Sequence, residues 1–333
     1  MNERDLLVRL IHGPASGAEL ARASGQTRAA LWKRIHALRG AGVAITAQPG
    51  RGYALQQLLE LLDADAILAG LPVQCRADIT ELDIAWSLDS TNSELLRRST
   101  PSAGVAVLLA ERQTGGRGRR GRDWTSPLAA NLYLSLARMF SGGLARLPGL
   151  SLVAGIASAE ALHALGFDAV RLKWPNDLVV VDGNGPGSSP GQALRKLGGL
   201  LVEGGGENAG PVRAVLGLGL NIDMPPAFAA TITQPWIDLA TLAGSAPSRN
   251  RVTATLLAHW LPALAQFDAQ GLEPFLPRYA RLDALAGREV LLHADAGART
   301  GHVLGLAADG ALRVRVDGAE QRIHSGEISV RAA

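Results

Sequence analysis

The chain has 333 residues, is 47% hydrophobic and 19% charged, and carries a net charge of +3. That is enough apolar chain for two or three packed domains, and it excludes general disorder. A single cysteine, Cys75, excludes an intrachain disulfide and a cysteine-rich zinc site.

The opening MNERDLLVRL carries acids and no apolar signal-peptide core. No uncharged apolar run reaches about 18 residues. The expectation is a soluble cytoplasmic protein with no membrane partner.

Residues 1–60 carry eight basic and four acidic side chains, a net +4, so the rest of the chain is close to neutral. This segment is the candidate for a polyanionic partner. Helical spacing of Leu6, Leu7, Leu10 and Ile11 predicts a first helix. After Gly13-Pro14, Ser16 caps a second, which Gly25 closes. Thr27 caps a third over TRAALWKRIHALRGAG, with Leu31, Ile35 and Leu38 as its apolar stripe. VAITAQPGRGYAL reads as a hairpin with Arg51 at its turn. Helix, tight turn, helix and basic hairpin make a winged helix-turn-helix. Thr27, Arg28, Lys33 and Arg34 are the candidates for DNA contact from the third helix, and Arg51 from the wing. A small helical domain with a solvated basic face fits the same pattern.

LLELLDADAILAGL predicts a connecting helix over about 60–80, broken by Pro72. From residue 81 the pattern turns to mixed α and β. ELDIAWSL, GVAVLLAE, NLYLSLARMF, VRLKW, DLVVV, KLGGLLVE and AVLGLGLNI are candidate strands. A buried helix is expected from Leu147 to Leu165, opening at Pro148, and a second helical stretch from Arg249 to Leu285. Short strands separated by turns then give the look of a small β-barrel. The fold expected is α+β and multidomain: a winged helix over 1–60, a linker over 61–80, a central α/β domain with a mixed sheet over 81–284, and an SH3-like β domain over 285–333. GNGPGSSPGQAL, 183–194, reads as a loop between two strands and receives no function.

Five stretches carry chemistry. In QTGGRGRRGRDW, glycines free the backbone to approach a ligand, and arginines 117, 119, 120 and 122 add charge suited to phosphate. DSTN offers small donors and acceptors to a polar head such as a urea, and also serves as a helix cap. KWPND fixes Asn176 and Asp177 on a rigid turn beside Lys173. Lys196 opens an apolar strand, in reach of a phosphate or a developing carbonyl charge; a snorkelling edge lysine looks the same. In GLGLNI, Gly217 and Gly219 leave room for a flat ligand, and Asn221 can read an adenine edge.

In this order, DSTN, QTGGRGRRGRDW, KWPND, RKLGGLLVE and GLGLNI resemble the biotin–protein ligases. With the winged helix in front, the whole chain resembles the bifunctional biotin ligase and biotin-operon repressors of bacteria. The long 183–194 loop is the main departure. The resemblance implies that biotin is activated with ATP and Mg²⁺ to biotinyl-5′-adenylate, then transferred to a lysine of the biotin carboxyl carrier protein of acetyl-CoA carboxylase. It implies that Ser90, Thr91, Asn92 and Gln113 bind the ureido head, and that Gly116, Arg117, Gly118 and Arg119 close over biotin and the adenylate. Arg119, Lys196 and Asp177 are the candidate catalytic groups. Lys196 would meet the biotin carboxylate and the phosphate, Arg119 the adenylate, and Arg122 and Lys173 the ATP phosphates. Asn176, in the adenylate site, and Asp177 would bind Mg²⁺ or orient the acceptor lysine. Asn221 would face the adenine and Trp236 would cover it; a core tryptophan fits position 236 equally. It further implies a ligand-promoted homodimer on operator DNA of biotin-synthesis genes, with biotin as co-repressor. Three alternatives stay open: a ligase whose N-terminal domain does not regulate, a lipoate–protein ligase, and a ligand-sensing repressor without catalysis.

Overall fold

Reciprocal caps place the first helices. The structure, a computed structural model, describes residues 2–48, 50–141, 143–181, 193–206, 210–294, 297–324 and 329–332. Asn2 and Asp5 box the start of α1 (Glu3–Ile11), and Ser16 and Glu19 that of α2 (Gly17–Ser24). Gly25, at φ +62°, ends α2, and Thr27 Oγ1 accepts from Ala30 N to open α3 (Arg28–Gly40). The wing pairs β1 (Ile45–Gln48) with β2 (Gly52–Leu55). Leu6, Leu10, Leu20, Leu31, Ile35 and Leu38 form this domain's core, which also takes in Leu128 and Ala129 from the central domain.

The connecting segment begins differently from expectation. Residues 56–63 are not helical; the helix α4 (Ala64–Ala69) starts at the Asp63 cap, and α5 (Val73–Ala77) follows. The cause is competition for the backbone. Leu62 N donates to Glu111 Oε1 at 2.6 Å and Asp63 N to Asn250 Oδ1 at 2.8 Å, so side chains of the central domain take the bonds a helix would use. Ile67 and Leu71 are buried in the central core, so the segment packs as part of it.

A seven-stranded sheet forms the central layer. Its strands are β3 (Ile79–Ala85), β4 (Val105–Ala110), β5 (Leu132–Phe140), β6 (Val170–Lys173), β7 (Asp177–Val181), β8 (Leu194–Gly206) and β9 (Val212–Leu220), in the order β3-β4-β5-β9-β8-β7-β6. Only β3 and β4 run parallel. Side chains alternate between two faces. Val105, Val107, Leu109, Leu132, Leu134, Leu136, Leu216 and Leu218 join the main core with α7 (Leu147–Ala164) and α10 (Arg249–Gln270). Ala106, Leu108, Ala137 and Val215 face the other way, onto Leu95 of α6 (Thr91–Arg97). Most of the predicted loop 183–194 lies outside the described residues.

By length and composition α7 could cross a bilayer, with mean hydropathy 1.2, but 67% of it is buried inside the protein. Short helices α8 (Pro226–Ala229) and α9 (Leu239–Ala243) precede α10, and α11 (Leu276–Leu282) follows it. The C-terminal unit is an antiparallel sheet of β10 (Glu289–Ala294), β11 (Gly297–Leu306), β12 (Leu312–Val316), β13 (Ala319–Ile323) and β14 (Ser329–Ala332), ordered β13-β12-β11-β10-β14. It docks through Trp174, whose indole N–H donates to Gly310 O at 3.1 Å.

Two buried groups at the domain joints give testable stabilities. Arg249 pairs with Glu111 at 2.8 Å, both side chains only 4% exposed. Arg249→Met strands that carboxylate and should cost about 3–5 kcal/mol in chemical denaturation; Arg249→Met with Glu111→Gln should recover part of it. Asp283 lies where α11 meets β6, and burial pushes its carboxyl up to about 6. An unfolded aspartate titrates near about 3.9, so the folded chain holds a proton that the unfolded chain has released. This group's contribution therefore favours folding at low pH and is lost as pH rises from about 4 through 6. Asp283→Asn should raise the thermal midpoint at pH 7.5 and leave it unchanged at pH 4, read from melts at both values.

Candidate active site

The site lies on the α6 face of the sheet, where the middle strands lose their side chains. Gly219 pairs with Tyr133 on one side and Gly199 on the other, and Gly199 pairs with Asp177; the next row is Ser135, Gly217 and Leu201. A Cβ on Gly217 would fall 2.3 Å from Asn92 Oδ1, and one on Gly219 would fall 2.4 Å from the Trp124 indole. The two glycines thus admit protein side chains against the sheet. At Gly219 the flat group is Trp124, which sequence reasoning had not placed in the site.

The polar end is prearranged. Ser90 caps α6 through Ser93 N, so DSTN serves as cap and as site wall together. Gln113 Oε1 accepts from Thr91 N at 2.8 Å, and Gln113 Nε2 reaches Ser126 Oγ at 3.4 Å. Ser135 Oγ lies 2.7 Å from Thr91 Oγ1 and 2.6 Å from Asn92 Oδ1. Ser135 is fully buried among the leucines of β5. A serine between two leucines inside NLYLSLARMF was the signal that could have found it.

The cationic end faces it. Lys196 Nζ pairs with Asp177 Oδ1 at 2.8 Å and sits 5.4 Å from the Trp124 ring centroid. Asn176 Nδ2 donates to Leu200 O at 2.7 Å, leaving its Oδ1 to accept from Arg119 Nη1 at 3.3 Å. Burial, with Arg120 alongside, draws the Arg119 guanidinium below its ordinary range, and Asp177 opposes that. The glycine–arginine stretch is a short hairpin: Trp124 N donates to Gly116 O at 2.8 Å and Gly118 N to Arg122 O at 2.7 Å. Its tip uses positive φ at Arg120 (+57°) and Gly121 (+67°). Among the described residues no three His, Cys, Asp or Glu side chains group into a metal site.

One pocket brings together Ser90, Thr91, Asn92 and Gln113 with Arg117, Gly118, Arg119, Arg122, Asn176, Asp177 and Lys196. Four predicted residues stand apart. Gly116 lies at the hairpin base, where a Cβ would strike Ser126 Oγ and Trp124 O. Lys173 borders a neighbouring cleft with Ser151 and Tyr279. Asn221 is buried just behind the pocket wall, its Nδ2 donating to Ile237 O at 3.1 Å and reaching Lys196 O at 3.5 Å. Trp236 is half-buried, its segment bridged to Lys196; Gln234 of that segment lines the pocket instead.

On α3, Arg28 and Lys33 are exposed, and so is Arg51 at the wing tip. Arg34 turns inward to Gln26 Oε1 at 2.8 Å, and Thr27 Oγ1 is occupied as the cap. The sequence reading passed over Trp32, 55% exposed on the same face and stacked on His36 with ring centroids 4.8 Å apart.

The packing at β9 is testable. Gly219→Ala should displace Trp124, whose indole nitrogen is buried without a partner. The expected outcome is faster tryptic cleavage within residues 117–122 and loss of ligand-induced protection, while far-ultraviolet circular dichroism stays unchanged.

Comparison with known proteins matches residues 85–221 to the biotin/lipoate A/B protein ligase family. Residues 2–54 match an HTH domain, and residues 286–331 the biotin protein ligase C terminal domain. The chain is 40% identical over 318 residues to the bifunctional ligase/repressor BirA of Salmonella typhimurium, covering 96% of this chain and 93% of that one. It is 39% identical over the same length to BirA of Escherichia coli. The biotin protein ligase of Aquifex aeolicus, solved with biotin and ATP, superposes with a TM-score of 0.62 at 26% identity, over 76% of this chain and 100% of the other. With that likeness running through all three units, the chain belongs to the biotin/lipoate A/B protein ligase family.

Proposed function

We propose that this protein is a cytoplasmic biotin–protein ligase that also represses transcription. It activates biotin with MgATP and transfers it to a lysine of the biotin carboxyl carrier protein of acetyl-CoA carboxylase. The observation that carries this reading is one pocket with a neutral hydrogen-bonding end at Thr91 and Gln113 and a cationic end at Arg119 and Lys196, under an arginine hairpin.

No side-chain nucleophile is required. The biotin carboxylate displaces pyrophosphate from the α-phosphate of ATP. The carrier lysine's amine then attacks the acyl carbon and AMP leaves, with the amine proton passing to solvent. The chain supplies alignment and charge. Ser90, Thr91 and Gln113 hold the ureido ring, and Asn92 and Gly116 shape its wall. Lys196 meets the carboxylate as it becomes the acyl oxygen, held in place by Asp177. Arg117, Gly118 and Arg119 cover the adenylate, while Arg122, Asn176 and Lys173 serve the phosphates. Asn221 ties Ile237 to its strand and so steadies Gln234 and Trp236 on the adenine side. The residues fit a Mg²⁺ that arrives with ATP, since magnesium takes one or two carboxylates plus substrate phosphates and both Asp177 and Asp123 line the pocket; Asp177, now paired with Lys196, is the one that would turn to the ion. Bound there, Mg²⁺ would neutralise phosphate charge.

The repressor reading rests on the exposed face of Arg28, Lys33 and Arg51 and on the bifunctional relatives. A ligand-promoted homodimer would set two such faces on two operator half-sites.

Intact mass of a carrier domain after incubation with biotin and MgATP should rise by one biotin, and not without ATP. Mass gain with lipoate alone would move the protein to the lipoate branch. Arg28→Ala or Lys33→Ala should each weaken operator affinity about five- to hundredfold, read by fluorescence anisotropy, with ligation unchanged.

A further inference from the structure

Glu203, on β8, holds two groups of the proposed ligand site with one carboxylate. Its Oε2 accepts from Asn92 Nδ2 at 3.0 Å, and both oxygens lie 3.1 Å from Arg117 Nη2. Asn92 spends its other amide hydrogen on Leu201 O at 3.1 Å, and its Oδ1 faces Ser135 Oγ at 2.6 Å. The carboxamide is therefore locked in one orientation. Arg117 also reaches Ser93 Oγ at 2.9 Å.

Arg117 stands at the base of the arginine hairpin. The tip is tied by Arg119 to the neutral amide of Asn176 at 3.3 Å, whereas the base is tied by opposite charges. Glutamate is the side chain this position demands. Asn92 and Arg117 both arrive as donors, and a carboxylate has two oxygens to offer them. A glutamine has one oxygen and must present an NH₂ to one of the two donors.

We propose that Glu203 is a positioning residue for the ligation reaction: it sets Asn92 at the ureido end and anchors Arg117, so that retention of the acyl-adenylate depends on it. This deepens the proposed site and rests on that reading. It predicts a link between the two ends of the pocket through a residue that touches neither end of the substrate.

The test uses the full chain loaded with labelled biotin and MgATP, freed of excess ligand by rapid gel filtration, then chased with unlabelled biotin and ATP. Glu203→Gln should release labelled adenylate about fivefold faster, a modest factor because the ion pair is partly exposed to solvent. The biotin KM should rise, while single-turnover transfer from loaded enzyme to the carrier lysine keeps its rate. Arg117→Gln with Glu203→Gln should release more slowly than the product of the two single effects predicts, since both break the Arg117–Glu203 pair, while the Asn92 contact is lost only with Glu203. Glu203→Asp keeps the charge but not the reach, and should also release faster; it stands in if Glu203→Gln does not fold. Unchanged release and KM in the folded variant, or additive effects in the double variant, overturn the inference alone. A wild-type chain that retains no adenylate overturns it together with the ligase reading.

Discussion

The pocket depends on a stretch of sheet that carries almost no side chains on one face. Gly199, Gly217 and Gly219 lie in adjacent positions of β8 and β9, with Ser135 as their neighbour on β5. On the opposite face the same strands are packed with leucine and valine against α7 and α10. One face thus stabilises the sheet through apolar burial, and the other is left open for chemistry. Everything on the open face fills space that a Cβ would otherwise take: the Asn92 amide over Gly217 and the Trp124 indole over Gly219. Glycine weakens a strand interior, and here the pairing on both sides of β9 and the leucines behind it offset that loss.

The charges follow the same economy of contact. Lys196 with Asp177 and Arg117 with Glu203 are partly exposed pairs at the pocket wall. Arg249 with Glu111 is a closed pair deep in the joint. The wall pairs are open to solvent on one side, Lys196 within reach of a ligand and Arg117 held at the hairpin base. The closed pair has its remaining atoms bonded to Leu62 N and Asn131 O, which suits a fixed joint.

Much of this was legible in the sequence because local rules governed it. The caps at Ser16 and Thr27, the stop at Gly25, the Pro148 opening of α7 and the strand alternation needed only neighbours in the chain. The turn in KWPND was legible for the same reason, whereas the hairpin form of the glycine–arginine stretch came only with the bonds from Trp124 N to Gly116 O and from Gly118 N to Arg122 O. What was not legible depended on distant partners. The helix expected from the LLELL run fails because Glu111 and Asn250, far along the chain, take its backbone bonds. Asn221 is read from sequence as facing adenine, and only the fold shows that its Nδ2 donates to Ile237 O. Arg34 looked like part of a solvated face and turns to Gln26. Glu203 entered the site through register between strands, and Trp124 through the approach of the hairpin to Gly219, which no short window of sequence contains.

Leu128 and Ala129 follow the arginine hairpin by a few residues and pack into the winged-helix core, and Leu128 N donates to Ala41 O at 2.8 Å. Glu111, just ahead of Gln113, anchors the other end of the same segment at the joint. The segment 111–129 is therefore common property of two domains, and the DNA-binding unit is not a bead on a string. A chimaera that exchanged residues 1–60 for an unrelated reader domain would bare two apolar side chains and untether the root of the hairpin. In such a chain, the modular unit to transplant is the winged helix together with its socket.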